Sequence, residues 1–167
     1  MKINSRNIRC CNLNWSTHNR ELSELRTEVF IVEQKVPVAD EWDGRDDQAW
    51  HFGVFADYSP APGERLTQNL VGCARVIHDV WREQQALHIG RVAIRKDYRS
   101  QGLGSALLKH IISWAKPSLP LFLHAQTNAI EFYRQFDFEI QGEIFLDAGI
   151  PHQSMLYNRT KPVEECV

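Results

Sequence analysis

The stretch LHIGRVAIRKDYRSQGLGSALLKHIISW, Leu87 to Trp114, decides how the rest of the chain is read. Its first third is a strand: Ile89, Val92 and Ile94 are β-branched, and the run ends at the charged turn Arg95 to Arg99. Its last third is a helix. From Leu103 the apolar residues fall at Ala106, Leu107, Ile111 and Trp114, one face at helical spacing, and Pro117 stops the helix after Lys116. Between the two lies Arg99-Ser100-Gln101-Gly102-Leu103-Gly104, where two glycines leave the amides of a new helix uncovered by a Cβ. Such a turn suits an anion.

The anion is not held in a Walker loop, because Gly104 is followed by Ser105 with no lysine between. The three-glycine dinucleotide pattern is also unfilled. What is left, R-x-x-G-x-G after a strand and before a helix, fits a pyrophosphate cradle without a metal-binding hydroxyl. The plainer alternative is a strand-to-helix turn whose glycines only ease the reversal.

Downstream, Pro120 to Gln126 (PLFLHAQ) reads as another buried strand. Asn128 to Phe136 (NAIEFYRQF) reads as a short helix with Ala129, Phe132, Tyr133 and Phe136 on one side. With R-x-x-G-x-G at the first helix and A-x-x-F-Y-x-x-x-x-F at the second, the chain resembles the GCN5-related N-acetyltransferases (GNAT), which bind acetyl-CoA. The resemblance covers nearly the whole chain, and VFIVEQKVP, DEWDGRDD and GIPHQSMLY look like the ElaA-like branch. One departure is Asp137, where the family usually carries glycine; aspartate tolerates a left-handed backbone better than most residues.

The resemblance implies a single α/β domain over residues 1–158, a mixed sheet with splayed parallel central strands (Leu87 to Ile94 and Leu121 to Gln126) and flanking helices. A polar tail, 159–167, follows. It implies coenzyme contacts from Val92 and Ile94 on the strand, from Arg99, Ser100, Gln101, Gly102, Leu103, Gly104 and Ser105 in the turn, and from Gln126 and Tyr133. Tyr133 matches the family tyrosine that stands beside the coenzyme sulfur as general acid; a core aromatic on an amphipathic helix is its other role.

Composition agrees with one soluble domain: 167 residues, 43% hydrophobic and 24% charged, support one sizeable core. A net charge of -2 gives no broad electrostatic case for nucleic acid or an anionic membrane. Cys10, Cys11, Cys73 and Cys166 form neither a C-x-x-C pair nor a disulfide framework, so reduced thiols in the cytoplasm are expected. No run suits a signal peptide or a membrane span, and the seven histidines show no metal-ligand spacing.

Taken in order, Ile8 to Trp15 is a first strand. A helix capped by Thr17 or Asn19 follows, with Leu22, Leu25, Val29 and Val32 at helical spacing, ending near Glu33 or Gln34. Glu33 reads as a solvated or capping residue sooner than a catalytic one. The acidic run Asp40, Glu41, Asp43, Asp46 and Asp47 is a solvated loop or a lure for an amine, and solvation is favoured. Trp50 to Ala56 and Leu70 to His78 are strands joined by the polar segment Asp57 to Asn69, a mobile hairpin tip. His51 reads as a hydrogen-bonded structural histidine, and Arg75 faces solvent or the acceptor cleft. Glu139 to Leu146 and Pro151 to Asn158 form a closing hairpin, and the tail from Arg159 is frayed.

Amine attack on a thioester sets the chemical requirements. An alkylammonium, with a pKa of about 10.4, must lose its proton, so a base is needed. The thioester oxygen wants preorganised donors and the thiolate wants an acid. The resemblance offers backbone amides near Val92 and the Tyr133 phenol. His88, on the central strand and on the side of Val92 and Ile94 by alternation, is the candidate base, with His124 and His152 in reserve; a histidine bonded within the sheet is the competing role. Cys73 lies in a hydrophobic strand without an adjacent base, so no acyl-enzyme is expected. The expected activity is acetyl transfer from acetyl-CoA to a primary amine by direct attack, without metal. A non-catalytic acyl-CoA sensor is the alternative.

Overall fold

The computed structural model describes residues 8–58 and 67–160. Seven strands hydrogen-bond in the order β1-β2-β3-β4-β5-β7-β6: β1 Ile8–Leu13, β2 Trp50–Tyr58, β3 Thr67–Trp81, β4 Gln84–Ile94, β5 Leu121–Gln126, β6 Phe138–Asp147 and β7 Ile150–Tyr157. Among the described residues, four α-helices complete the mixed α/β single-domain fold: α1 Trp15–Arg26, α2 Val38–Glu41, α3 Leu103–Trp114 and α4 Ile130–Arg134. No helix among the described residues is long and apolar enough to cross a membrane. Contacts divide the chain into two compact units, Met1–Ile77 with Gly90–Trp114, and His78–Ile89 with Ala115–Val167.

In the first unit β1 pairs antiparallel with β2, and β2 with β3. Leu13, Leu22, Leu25, Val29, Phe55, Leu70 and Ala93 form its core. Helix α1 begins at Trp15, well before the expected caps, because Asn14 Oδ1 accepts the Ser16 amide at 2.9 Å. It continues as a π-helical turn over Thr27–Glu33, with Gln34 N–H donating to Val29 O at 3.1 Å. The wider turn rotates Val32 off the buried face, so this residue is 59% exposed and the helical spacing expected of it fails. Helix α3 buries Leu103, Leu107, Leu108 and Ile111 and ends at Trp114, whose ring meets Trp50 and Phe52. Gly72 is required by packing: a Cβ there would stand 2.3 Å from Ile94 Cδ1 and 3.0 Å from the Ala93 carbonyl oxygen.

In the second unit β4 and β5 run parallel in register over Leu87–Leu121, His88–Phe122 and Ile89–Leu123. Leu87 N–H also donates to Pro120 O at 2.8 Å. Along its other edge β5 pairs antiparallel with β7 from Phe122 to Gln126, and β7 pairs with β6. Leu121, Leu123, Ala125, Phe138 and Met155 are fully buried. Strand β3 extends to Trp81, three residues beyond the expected His78, before a tight turn at Arg82 and Glu83. Most of the expected mobile tip, residues 59–66, lies outside the described residues, as does 161–167 of the expected tail. Arg159 is not frayed: its Nη2 donates to Lys116 O at 3.0 Å and to Leu119 O at 3.3 Å.

Candidate active site

The turn into α3 belongs to the first unit. Ile94 ends β4, a helical turn covers Lys96–Tyr98, and Ser100 (φ 59°) and Gly102 (φ 80°) both take left-handed backbone. The first helical bond is Ala106 N–H to Gly102 O at 3.0 Å, so the amides of Leu103, Gly104 and Ser105 precede the ladder and have no intrahelical acceptor. A Cβ on Gly102 would meet no protein atom within 4 Å. Glycine is therefore needed here for its φ, not for room within the protein, and open space lies over the turn. Amides of one helix end converging on open space suit a diphosphate in charge and in hydrogen-bond sense.

Arg99, expected in the cradle, is held at its rim. Its Nε donates to Ile94 O at 2.8 Å, and its two terminal nitrogens donate to the Glu33 carboxylate at 2.6 and 2.7 Å. Those bonds hold Glu33 below the usual carboxylate range. Glu33 is exposed at the end of the π-helical turn, the solvated position expected of it, and is the partner of Arg99. Gln101 donates to Asp97 O at 3.0 Å and braces the loop.

Val92 and Ile94 are half-buried on β4, just after Arg91, whose φ of 55° is left-handed inside a strand. That break interrupts strict alternation, so the expectation that His88 shares a side with Val92 and Ile94 loses its basis. The Arg91 side chain explains how the strain is held. It pairs with Glu41 Oε2 at 2.9 Å and donates to the carbonyls of Asp40 and Glu41, both at 2.9 Å.

In the acidic run Asp40 and Asp47 are exposed, as expected of a solvated loop, but Glu41, Asp43 and Asp46 are bound to arginines. Arg26, 1% exposed, binds Glu41 and reaches Asp46 at 2.7 Å; Arg75, 3% exposed, binds Asp43 and reaches Asp46 at 3.0 Å. Three carboxylates meet three guanidinium groups, counting Arg91. Hydrogen bonds from Arg75 hold Asp43 far below the usual carboxylate range. Burial would raise Asp46, but Arg26 and Arg75 outweigh it and leave this group lowered. His51, buried against Trp15, donates Nε2–H to Asp46 O at 2.9 Å, the structural role expected of it. A cleft of about 480 Å³ beside it, lined by Asn12, Trp15, Asp47 and Trp50 among others, includes none of the expected site residues.

The second unit carries Tyr133, Gln126 and His88. Tyr133 is buried on α4 between Phe132 and Phe138, ring centroids 5.0 and 6.0 Å away, and burial raises its phenol above the ordinary value. Asp137 takes a φ of 60°, the left-handed turn expected where the family carries glycine. Gln126 is half-buried at the end of β5, in register with His152. His88 belongs to another ring cluster. It stacks on Phe122 at 4.4 Å and meets the edge of His124 at 4.7 Å. His124 Nδ1 lies 3.0 Å from Ser154 Oγ, and burial lowers its pKa. His152 donates Nδ1–H to Ile150 O at 2.8 Å. Cys73 is fully buried and its thiol is pushed up to about 12, so it is no nucleophile.

The family model described as "Acetyltransferase (GNAT) domain" matches residues 64–158. An uncharacterized N-acetyltransferase of Bacillus subtilis, YjcF, is 32% identical over 79% of this chain and 86% of its own. Among solved structures, an acyl-CoA N-acyltransferase from Pseudomonas aeruginosa superposes with a TM-score of 0.73 at 28% identity, covering 90% of this chain and 99% of that one. Escherichia coli ElaA does so with a TM-score of 0.73 at 26% identity and the same coverage. Mixed sheet, bared amides ahead of α3, left-handed Asp137 and these relatives agree, and the chain belongs to the GNAT acetyltransferase family as an acyltransferase.

Proposed function

We propose that the chain transfers acetyl from acetyl-CoA directly to a primary amine in a ternary complex, in the cytoplasm, through a catalytic domain spanning residues 1–158. The observation that carries this is the left-handed Gly102 turn, with open space over it, immediately ahead of the Leu103, Gly104 and Ser105 amides that lack an intrahelical acceptor. In this assignment those amides, with Ser100 and Gln101, hold the diphosphate, and Arg99 closes the rim. Main-chain groups of Val92 and Ile94, with Gln126, hold the thioester arm. When bound, acetyl-CoA supplies the activated acyl group and a thiolate leaving group.

The rest of the chemistry falls to the chain. The amide near Val92 donates to the thioester oxygen, where negative charge develops. His88, with a reference pKa of about 6.5, takes the proton of the attacking amine near neutral pH. Burial keeps the Tyr133 phenol protonated, so it donates toward the departing sulfur. A Cys73 thiol pushed up to about 12 supports transfer without an acyl-enzyme. Acceptor amines of a polyamine, a small amine, an amino acid, or a protein lysine or N-terminus all meet this chemistry.

The test is thiol release from acetyl-CoA with spermidine, tyramine, free lysine and a lysine-bearing peptide, together with calorimetry of acetyl-CoA on the wild type and on Gly102→Val. Turnover with at least one amine is expected, with a loss of coenzyme affinity of tenfold or more in a folded Gly102→Val, on the order of 1–3 kcal/mol of backbone strain at φ 80°. Tight coenzyme binding without release of thiol for any amine would point instead to a sensor of acyl-CoA.

A further inference from the structure

β3 ends in His78-Asp79-Val80-Trp81, and two left-handed residues, Arg82 (φ 47°) and Glu83 (φ 68°), turn the chain into β4. A two-residue turn of this hand sets Trp81 opposite Gln84, which places Asp79 opposite Ala86 and diagonal to His88 on one face. The side chains follow that register. His88 Nδ1 lies 3.0 Å from Asp79 Oδ2, while Asp79 Oδ1 accepts the Val80 amide at 2.9 Å. Each carboxylate oxygen is engaged, so the carboxylate is fixed in rotation. The His88 ring is fixed as well, lying within 17° of parallel on Phe122 and crossed by the edge of His124. With side-chain exposures of 33% for Asp79 and 18% for His88, the pair is shielded enough for the carboxylate to act on the ring more strongly than at an open surface.

We propose that Asp79 is the positioning residue for His88. A carboxylate can only accept, so Nδ1 carries the hydrogen and Nε2 the lone pair, and the imidazolium formed at Nε2 is stabilised by the charge behind it. The proposal deepens the acetyl-transfer assignment and rests on His88 as its base. In the step, the amine nitrogen bonds to the acetyl carbon and gives a proton to His88 Nε2. The carbon–sulfur bond breaks, its electron pair stays on sulfur, and sulfur takes the Tyr133 phenol proton; the imidazolium proton then returns to the phenolate through solvent. Among the described residues, titratable groups that face His88 include Asp79 from β3 and His124 from β5, with Asp147 of β6 and His152 of β7 acting on His124 in turn. Burial disfavours the charged form of His124.

The experiment follows the His88 imidazole by nitrogen-15 NMR through a pH titration, in the wild type and in Asp79→Asn. The expected result is Nδ1–H in the neutral wild-type ring and a midpoint about one pH unit lower in Asp79→Asn, the size of one charge partner lost. The acid limb of kcat/KM for thiol release from acetyl-CoA, with the amine probes above, should move the same way, kcat should fall on the order of tenfold or more, and Asp79→Glu should recover most of it. Asp79→Ser replaces Asp79→Asn should the latter not fold. An unchanged His88 titration in a folded variant overturns the proposal, and this arm needs no acceptor. His88→Gln separates the two layers. If it keeps full turnover while Asp79→Asn moves the titration, His88 is not the base and the positioning role falls with it. If it is inactive while the titration is unmoved, the base stands and only Asp79 is wrongly assigned.

Discussion

The acidic loop with its arginines, in the first unit, and the ring cluster around His88, in the second, use ionisable residues in opposite ways. Around Glu41, Asp43 and Asp46 every charge meets an opposite one, and Arg26, Arg75, Glu41 and Asp46 are all below a tenth exposed. Around His88 the neighbours are rings, Phe122 and His124, and the carboxylate Asp79 stands to one side. Saturated charges hold a backbone in place but are spent as proton carriers. A single weakly basic ring with one carboxylate behind it is not spent in that way. Density of charge is thus a poor guide to the site proposed for the chemistry.

The contrast breaks most readily at Arg26. Arg26→Ala takes one of two cations from each of Glu41 and Asp46 and empties a buried site, and a loss of about 3–5 kcal/mol is expected, read from denaturant or thermal unfolding. A loss below about 1 kcal/mol would mean that the cluster is not structural. Tyr133→Phe sharpens the other side. Turnover should fall on the order of a hundredfold with coenzyme affinity nearly unchanged by calorimetry, because the ring keeps its packing on Phe132 and Phe138 and loses only a hydroxyl. Equal turnover would remove it as the acid. The smallest effect is expected at Glu33→Gln, where an ion pair about a third exposed on each side is worth about 0–1 kcal/mol. Its value lies in the coenzyme: freeing Arg99 from Glu33 should tighten acetyl-CoA binding if the guanidinium closes the cradle, and unchanged affinity would leave Arg99 as a brace only.

Much of this was legible in the chain. Strand, glycine turn and helix stand where the Leu87 to Trp114 pattern placed them, and Asp137 takes the left-handed backbone expected of it. Helix α1 starts ahead of its apolar pattern because Ser16 to Arg20 holds no apolar residue to mark a face, while the signal that does exist, Asn14 ahead of Trp15, is a cap. The arginine network left no trace in local pattern: Arg26 and Asp46, or Arg91 and Glu41, are far apart in sequence, and a charge in a loop looks solvated until its partner is placed. Asp79 was missed for the same reason, although the two-residue turn, once recognised, fixes its diagonal to His88.

The arginines that satisfy the acidic loop come from α1, β3 and β4, three stations widely separated along the polypeptide. That scattering makes the loop a poor module for transplantation. Grafted onto a relative lacking Arg26, Arg75 and Arg91 it would arrive with unneutralised carboxylates; excised from this one it would leave three orphan cations. Recombination between such enzymes should therefore carry these six residues together or not at all.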